Sequence, residues 1–347
     1  MRTVGTLAFS CAILCVSLSL QFSAGPARGA DGSDPGPGFA GKQPPFEPKS
    51  SVGLIPLTDL GTGKYKNEAG GLYGGGSNVP PPEHLAAAQA EAAKIQPLDD
   101  EGQSAANGKI VLLSVGMSNT ANEFSRFMQI ANADPQKSSK LVIIQGAQGN
   151  QPAAAWAAKD ATVWGVVDQR LKMGGVSGRQ VQVAWIKQAN FVRSMRESVE
   201  EYDKELQSDM LVVLNQLKEH YPNLKLAYLS SRIYGGYAGR WEPYAYEGGF
   251  VMRRLIRQQI AHSAKLNCDP ARGTVHAPLL LWGPYLWADG VTPRKYDGLV
   301  WERKDLSDVD GTHPSASGCQ KVADLLLKLF KTDPTAQTWF LQKPTAD

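Results

Sequence analysis

Cysteine is scarce in this chain of 347 residues: there are four, and two of them, Cys11 and Cys15, fall inside an apolar run at the N-terminus. The remaining Cys268 and Cys319 are too few for a disulfide-stapled scaffold, and no Cys/His spacing suits zinc. Histidine is equally sparse, with five residues scattered at 84, 220, 262, 276 and 313. Neither a metal nor an organic cofactor is expected. An excess of one charge is missing too. Lys+Arg 36 against Asp+Glu 33 gives a net charge of +3 without a basic cluster, so nothing calls for nucleic acid or an anionic membrane as partner. With 42% hydrophobic and 20% charged residues, the chain reads as globular. Multi-pass membrane proteins, coiled coils and wholly disordered chains are excluded.

What is present is unevenly distributed. Arg2 precedes an apolar, serine-interrupted run from Val4 to Leu20, followed by Ser23, Ala24 and Gly25. One positive charge, a short apolar stretch and small residues at its end predict a cleaved signal peptide over residues 1–24. The chain would then be secreted, periplasmic or at the cell surface, with no integral membrane span once the leader is removed. Cys11 and Cys15 lie too far inside the run for lipid attachment. In an exported chain Cys268 and Cys319 are either one disulfide or two buried thiols. Residues 25–50 are rich in proline and glycine and read as a disordered linker. Residues 51–108 are mixed: Leu54–Leu57 and Leu72-Tyr73 could anchor them, Gly74–Asn78 reads as a turn, and Glu83–Ile95 is helix-prone. They are expected to form an extension packed on a main domain spanning 109–340.

From Lys109 the texture changes. Five short apolar runs appear, at Ile110–Val115, Leu141–Ile144, Val181–Ile186, Leu224–Leu229 and Leu279–Trp282. Helical patterns lie between or after them, most clearly Ser198–His220, Tyr246–Leu266 and Ser315–Phe330, with Ser315 and Ser317 placed to cap the last. Apolar strands alternating with helices predict a mainly parallel five-stranded sheet in a three-layer α/β/α sandwich.

In such a sheet, chemistry gathers in the loops after the strands' carboxyl ends. After the first strand stands Gly116-Met117-Ser118-Asn119, with Ser118 at the start of a helix. A serine there could be nucleophile and, through its unpaired N–H, part of an oxyanion site; it could equally be a plain helix cap. Before the last helix stands Asp310-Gly311-Thr312-His313. Asp and His three apart on a tight turn can set carboxylate against imidazole, fixing the tautomer and stabilising the imidazolium. Asp308, five residues from His313, suits a tight turn less well. His220 ends a helix, His262 lies within one and His276 sits in a loop.

Over roughly residues 109–330, these two motifs in this order resemble the SGNH (GDSL-type) hydrolase superfamily. Gly116-Met-Ser-Asn is similar to the Gly-Gln-Ser-Asn block of carbohydrate O-acetylesterases, and Asp310-Gly-Thr-His to the closing Asp-x-x-His block. The resemblance implies a flavodoxin-like fold, Ser118 as nucleophile, His313 as general base and Asp310 as its orienting partner. It also implies an oxyanion hole from the Ser118 N–H, a glycine N–H after the second strand and an asparagine amide after the third. Gly149 is favoured for the glycine, with Gly146 in reserve, and Asn190 for the amide, with Gln188 as its rival. Here the chain departs from the family's Gly-x-Asn-Asp, carrying Gln188 for the glycine and Phe191 for the aspartate.

The implied activity is an exported serine esterase that removes O-acetyl groups from a carbohydrate or other small ester. A lipase or thioesterase, or an inactive carbohydrate-binding protein, are the alternatives. Aromatic-rich loops at 232–246 and 282–289, with Trp156, suggest Trp156, Tyr234, Trp241 and Trp287 as contacts for a sugar ring; the same residues could simply pack the loops onto the domain.

Overall fold

The computed structural model describes residues 47–192, 198–239 and 241–342. The leader and nearly all of the linker, residues 1–46, lie outside the described residues.

A two-stranded hairpin (β1, Lys64–Tyr65; β2, Glu68–Ala69) and one helix (α1, Pro82–Ala93) come first. The strand–helix alternation follows: β3 (Ile110–Gly116), α2 (Ser118–Ala133), β4 (Leu141–Ile144), α3 (Ala153–Ala157), α4 (Val163–Met173), β5 (Val181–Lys187) and α5 (Val199–His220). It continues with β6 (Leu226–Ser230), α6 (Tyr244–Ile260), β7 (Leu279–Trp282), α7 (Ala316–Thr332) and α8 (Gln337–Phe340). The five longer strands form one sheet in the order β4-β3-β5-β6-β7, every pair parallel. Counted from β3 this is the doubly wound order 2-1-3-4-5, which places the switch point between β3 and β5.

Every residue of β3, β5, β6 and β7 is buried. That follows from helices covering both faces, and it is why the strands read as unbroken apolar runs. α2 packs with α7 on one side, while α3, α5 and α6 pack together on the other. The three-layer α/β/α architecture is therefore as the strand pattern predicts. α5 buries Tyr202, Leu206, Met210, Val213, Leu214 and Leu217, one stripe at helical spacing, and starts with a capping box between Ser198 and Glu201.

Boundaries differ where local hydrogen bonds compete. The run at Leu224 joins the sheet only at Leu226, because the Leu224 N–H closes a turn onto Tyr221. The helix expected to reach Leu266 ends at Ile260, and His262, expected inside it, stands beyond its end in the left-handed region at φ 59°. Helix α4 has no counterpart among the expected elements. Cys268 and Cys319 are both free thiols, and burial pushes each up to about 11.

Residues 51–108 are knitted into the domain. The buried Arg253 on α6 donates to the carbonyls of Ala69 and Gly71 and to Glu68 (2.7 Å). Trp282 Nε1 donates to the Leu72 carbonyl (2.6 Å), and Asp289 accepts from the N–H groups of Val52 and Gly53 (2.7 and 2.9 Å). Leu57 and Ala88 are fully buried.

Candidate active site

The carboxyl ends of β3 and β5 meet closely at Gly116. A Cβ there would lie 2.4 Å from the Lys187 carbonyl oxygen, which also accepts from Thr120 Oγ1 at 2.7 Å. This contact requires glycine and fixes where α2 begins. Met117 is extended at the N-cap (φ −92°, ψ −167°), so Ser118 is the first helical residue. Its N–H belongs to the first turn, which has no acceptor within the helix.

Ser118 Oγ lies 2.8 Å from His313 Nε2, and His313 Nδ1 lies 2.5 Å from Asp310 Oδ2. The other carboxylate oxygen, Oδ1, accepts from the N–H groups of Thr312 (2.9 Å) and His313 (3.0 Å). Burial pushes the Asp310 carboxyl up, but the hydrogen bonds from His313 and the two backbone donors outweigh it and hold it below the usual carboxylate range. Asp308 is elsewhere: its carboxylate is almost wholly exposed and faces Arg303 at 3.5 Å. Gly311 lies in the left-handed region at φ 59°, where a Cβ would also press on the Tyr237 backbone at 2.9 Å. The tight turn between Asp310 and His313 depends on it.

Three side chains brace this turn: Asn119 of the serine motif, Trp241, expected instead at a sugar ring, and Arg303, which the sequence did not single out. Asn119, next to the serine, donates from Nδ2 to the Thr312 carbonyl at 2.9 Å. Trp241 Nε1 donates to Thr312 Oγ1 at 3.0 Å. Arg303 Nη1 donates to the carbonyls of Leu306 and Ser307 (3.1 and 3.0 Å). Beneath the site, Lys187 Nζ bonds both oxygens of Glu123 (2.7 and 2.6 Å) with both side chains buried. Burial pushes Glu123 up and Lys187 down, and each is opposed by its partner. A lysine closing the apolar stretch Val183–Ile186 was the available signal for this pair.

The candidate oxyanion groups differ in how they are held. The Gly146 N–H is taken by Ser114 Oγ (3.1 Å), and a Cβ at Gly146 would fall 2.3 Å from the Ser114 carbonyl oxygen. Gly146 thus has a packing role. Gly149 is exposed, and among the described residues its N–H meets no acceptor. The loop carrying it is fixed by the Gln148 N–H on the Gly116 carbonyl (2.9 Å) and by Arg170 on the carbonyls of Gln145 and Ala147. Asn190 is buried; its Oδ1 accepts from the Ala154 N–H (2.9 Å) and its Nδ2 donates one hydrogen to Asp209 (2.7 Å). Among the described residues the second N–H of that amide meets no acceptor, and Gln188 Nε2 makes a long contact, 3.4 Å, to the Gln151 carbonyl.

The aromatic expectations need correction. Trp156 and Trp287 are fully buried, and Tyr234 is 1% exposed, so none of the three offers a face to a sugar. Trp156 packs edge-on against Trp164. Trp287 donates to Glu242 Oε1 (2.8 Å), and Tyr234 donates to the Lys49 carbonyl (2.8 Å). Trp287 packs against Tyr234 and against Tyr246 of α6. Trp241 alone among the four reaches the site, through Thr312, with Arg232 over its ring at 4.6 Å.

Among the described residues there is no helix long and apolar enough to cross a membrane and no cluster of side chains suited to a metal. No family model matches the chain, and no curated protein does. Solved structures similar to it include the C-terminal catalytic domain of peptidoglycan O-acetyltransferase A from Streptococcus pneumoniae, with a methylsulfonyl adduct. That match has 11% identity over 68% of this chain and 98% of that one, with a TM-score of 0.35. The periplasmic domain of a Salmonella Paratyphi A lipopolysaccharide acetyltransferase matches at 14% identity over 64% and 82%, TM-score 0.31. A carbohydrate esterase matches at 13% identity over 67% and 70%, TM-score 0.34. Likeness of this degree says nothing about chemistry, which is read from the side chains.

Proposed function

We propose that the chain is a serine esterase of the SGNH type, with Ser118 as nucleophile, His313 as general base and Asp310 as the group that orients it. The observation that carries this is the unbroken chain of contacts from Ser118 Oγ through the imidazole to Asp310, 2.8 and 2.5 Å long. The order of groups leaves Nε2 free to accept the serine proton while Nδ1–H faces a carboxylate. Ser118 Oγ attacks the ester carbonyl carbon as its proton passes to His313 Nε2. The tetrahedral oxygen is held by the N–H of Ser118, with Gly149 and the Asn190 amide completing the hole. Collapse expels the alcohol, which takes the proton from Nε2. Water then loses a proton to the same nitrogen and attacks the acyl-enzyme, releasing the carboxylic acid and Ser118.

For the substrate we favour an O-acetylated carbohydrate met outside the cytoplasm, supported by the leader-like N-terminus and the resemblance of the Gly-x-Ser-Asn block. His313 and Asp310 are 39% and 38% exposed at their side chains, an open site suited to a small acyl group protruding from a large polymer. Acetate release from acetylated xylan, acetylated peptidoglycan and acetylated monosaccharides tests this, with Ser118→Ala alongside. Release that vanishes in the variant supports the reading. Release that persists in the variant removes Ser118 from the chemistry.

A further inference from the structure

A cavity of about 280 Å3 opens at the far edge of the sheet. It lies between the end of β7, the extension from Leu72 to Leu85, and the second half of α7 with the residues that follow it. Ser118, Asp310 and His313 do not line it. Three strand spacings, roughly 14 Å, separate β7 from β3. The extension supplies one wall.

The mouth carries an aromatic ring that the fold does not use. Tyr296 is 59% exposed, although the turn bearing it is tied down from every side. Asp59, from the extension, accepts the N–H groups of Lys295 (2.6 Å) and Tyr296 (3.1 Å). Arg294 forms a two-pronged pair with Asp297 (2.7 and 2.6 Å) and donates to the carbonyls of Tyr285 and Trp287 (2.8 and 3.0 Å). The Gly298 N–H closes the turn onto the Arg294 carbonyl at 2.7 Å. A ring carried on so firmly tied a backbone has two side-chain torsions left to order, which keeps the entropic cost of stacking low.

The remaining walls specify the partner. Tyr73 lines the cavity with a hydroxyl that accepts only a long contact from the Trp282 N–H (3.5 Å), and among the described residues its proton meets no acceptor. Lys328 is exposed on the α7 wall and Asp333 stands a turn beyond it. Asp333 already accepts from Thr335 through Oδ1, which leaves Oδ2 for a ligand. Arg294 is spent on Asp297, so one cation stands against one carboxylate. A phosphate would want several uncommitted cations, and an acyl chain would want walls without charge. Aromatic faces with a balanced set of donors and acceptors suit a ring with C–H faces and hydroxyl edges.

We propose that this cavity is an accessory subsite for an uncharged glycosyl unit of the polymer whose ester is cut at Ser118. Tyr296 stacks on the ring, while Lys328, Tyr73 and Asp333 meet its hydroxyls. The proposal rests on the carbohydrate-esterase reading, and the two can fail separately.

The test uses the full chain carrying Ser118→Ala, applied to an array of neutral, N-acetylated and acidic oligosaccharides, with and without Tyr296→Ala and Lys328→Ala. Neutral or N-acetylated glycans should bind, and the double substitution should weaken binding by about 10-fold or more. In the Ser118-intact protein the same double substitution should leave kcat/KM for p-nitrophenyl acetate within about 2-fold, since the cavity is remote from the ester. Glycan binding that ignores both substitutions, or no binding to any glycan, overturns the subsite. Absence of p-nitrophenyl acetate turnover in the Ser118-intact protein overturns the esterase reading instead, and leaves the binding result to stand by itself.

Discussion

The turn that holds His313 and the loops that carry the candidate oxyanion groups are fixed by different means. The turn is braced by Asn119, Trp241 and Arg303 and folded around a left-handed Gly311, with Asp310 receiving three hydrogen bonds. Among the oxyanion candidates, Asn190 is committed through its amide to Ala154 and Asp209 and through its backbone to Tyr202, whereas Gln188 makes long contacts, 3.4 and 3.3 Å, and Gly149 is exposed. The contrast separates two tasks. In the proposed mechanism, proton transfer depends on a few tenths of an ångström and would be preset, whereas oxyanion donors would act only once a tetrahedral centre is in place.

If that contrast is right, substitutions on the braced side have the largest effects. Ser118→Ala and His313→Ala should each lower kcat for p-nitrophenyl acetate by about 10⁴-fold or more with thermal unfolding unchanged. Asp310→Asn should cost about 10³- to 10⁴-fold by removing the partner that fixes the tautomer. Asp308→Asn should leave the rate alone, and equal losses at the two positions would break the assignment. Among the oxyanion candidates, Asn190→Ala should cost about 10²-fold if its second amide N–H holds the oxyanion. An unchanged rate there, with the loss appearing in Gln188→Ala, would move the role to Gln188. The brace itself is worth less: Asn119→Ala should lower kcat about 10-fold at constant KM, read from initial rates on the same ester.

The smallest effect concerns stability. Burial raises the Glu242 carboxyl to about 7, against the hydrogen bonds it accepts from Trp287, Gly235 and Tyr246. A carboxyl raised on folding binds its proton more tightly in the folded state, so stability falls as pH climbs from about 4.5 to about 7. Asp203, raised to about 7 by burial, acts in the same direction. Glu242→Gln should therefore flatten part of the decline in melting temperature over that window. An identical slope in the variant would show that Glu242 does not contribute to it.

The fold was legible because strands buried on both faces are continuous apolar runs, and those at Leu141–Ile144 and Leu279–Trp282 match their strands residue for residue. The serine and the Asp-His turn were legible because both sit where an α/β sheet gathers its chemistry. The aromatic loops misled, since a tryptophan facing solvent and one facing the core look alike in sequence. Trp287 is inside because Tyr234, Glu242 and Tyr246 of α6 pack around it, which is a long-range fact. Tyr296 went unnoticed for the converse reason: the turn that carries it is pinned by Asp59, over two hundred residues away. Asn119 reads as part of a helix start until the turn it braces is brought beside it.

The most direct measurement is labelling of the purified protein with a fluorophosphonate at neutral pH, with the adduct mapped by peptide mass spectrometry. This account predicts one stoichiometric adduct on Ser118, abolished in Ser118→Ala and slowed at least about 10³-fold in His313→Ala. An unlabelled protein, or an adduct on a different serine that survives Ser118→Ala, would contradict it.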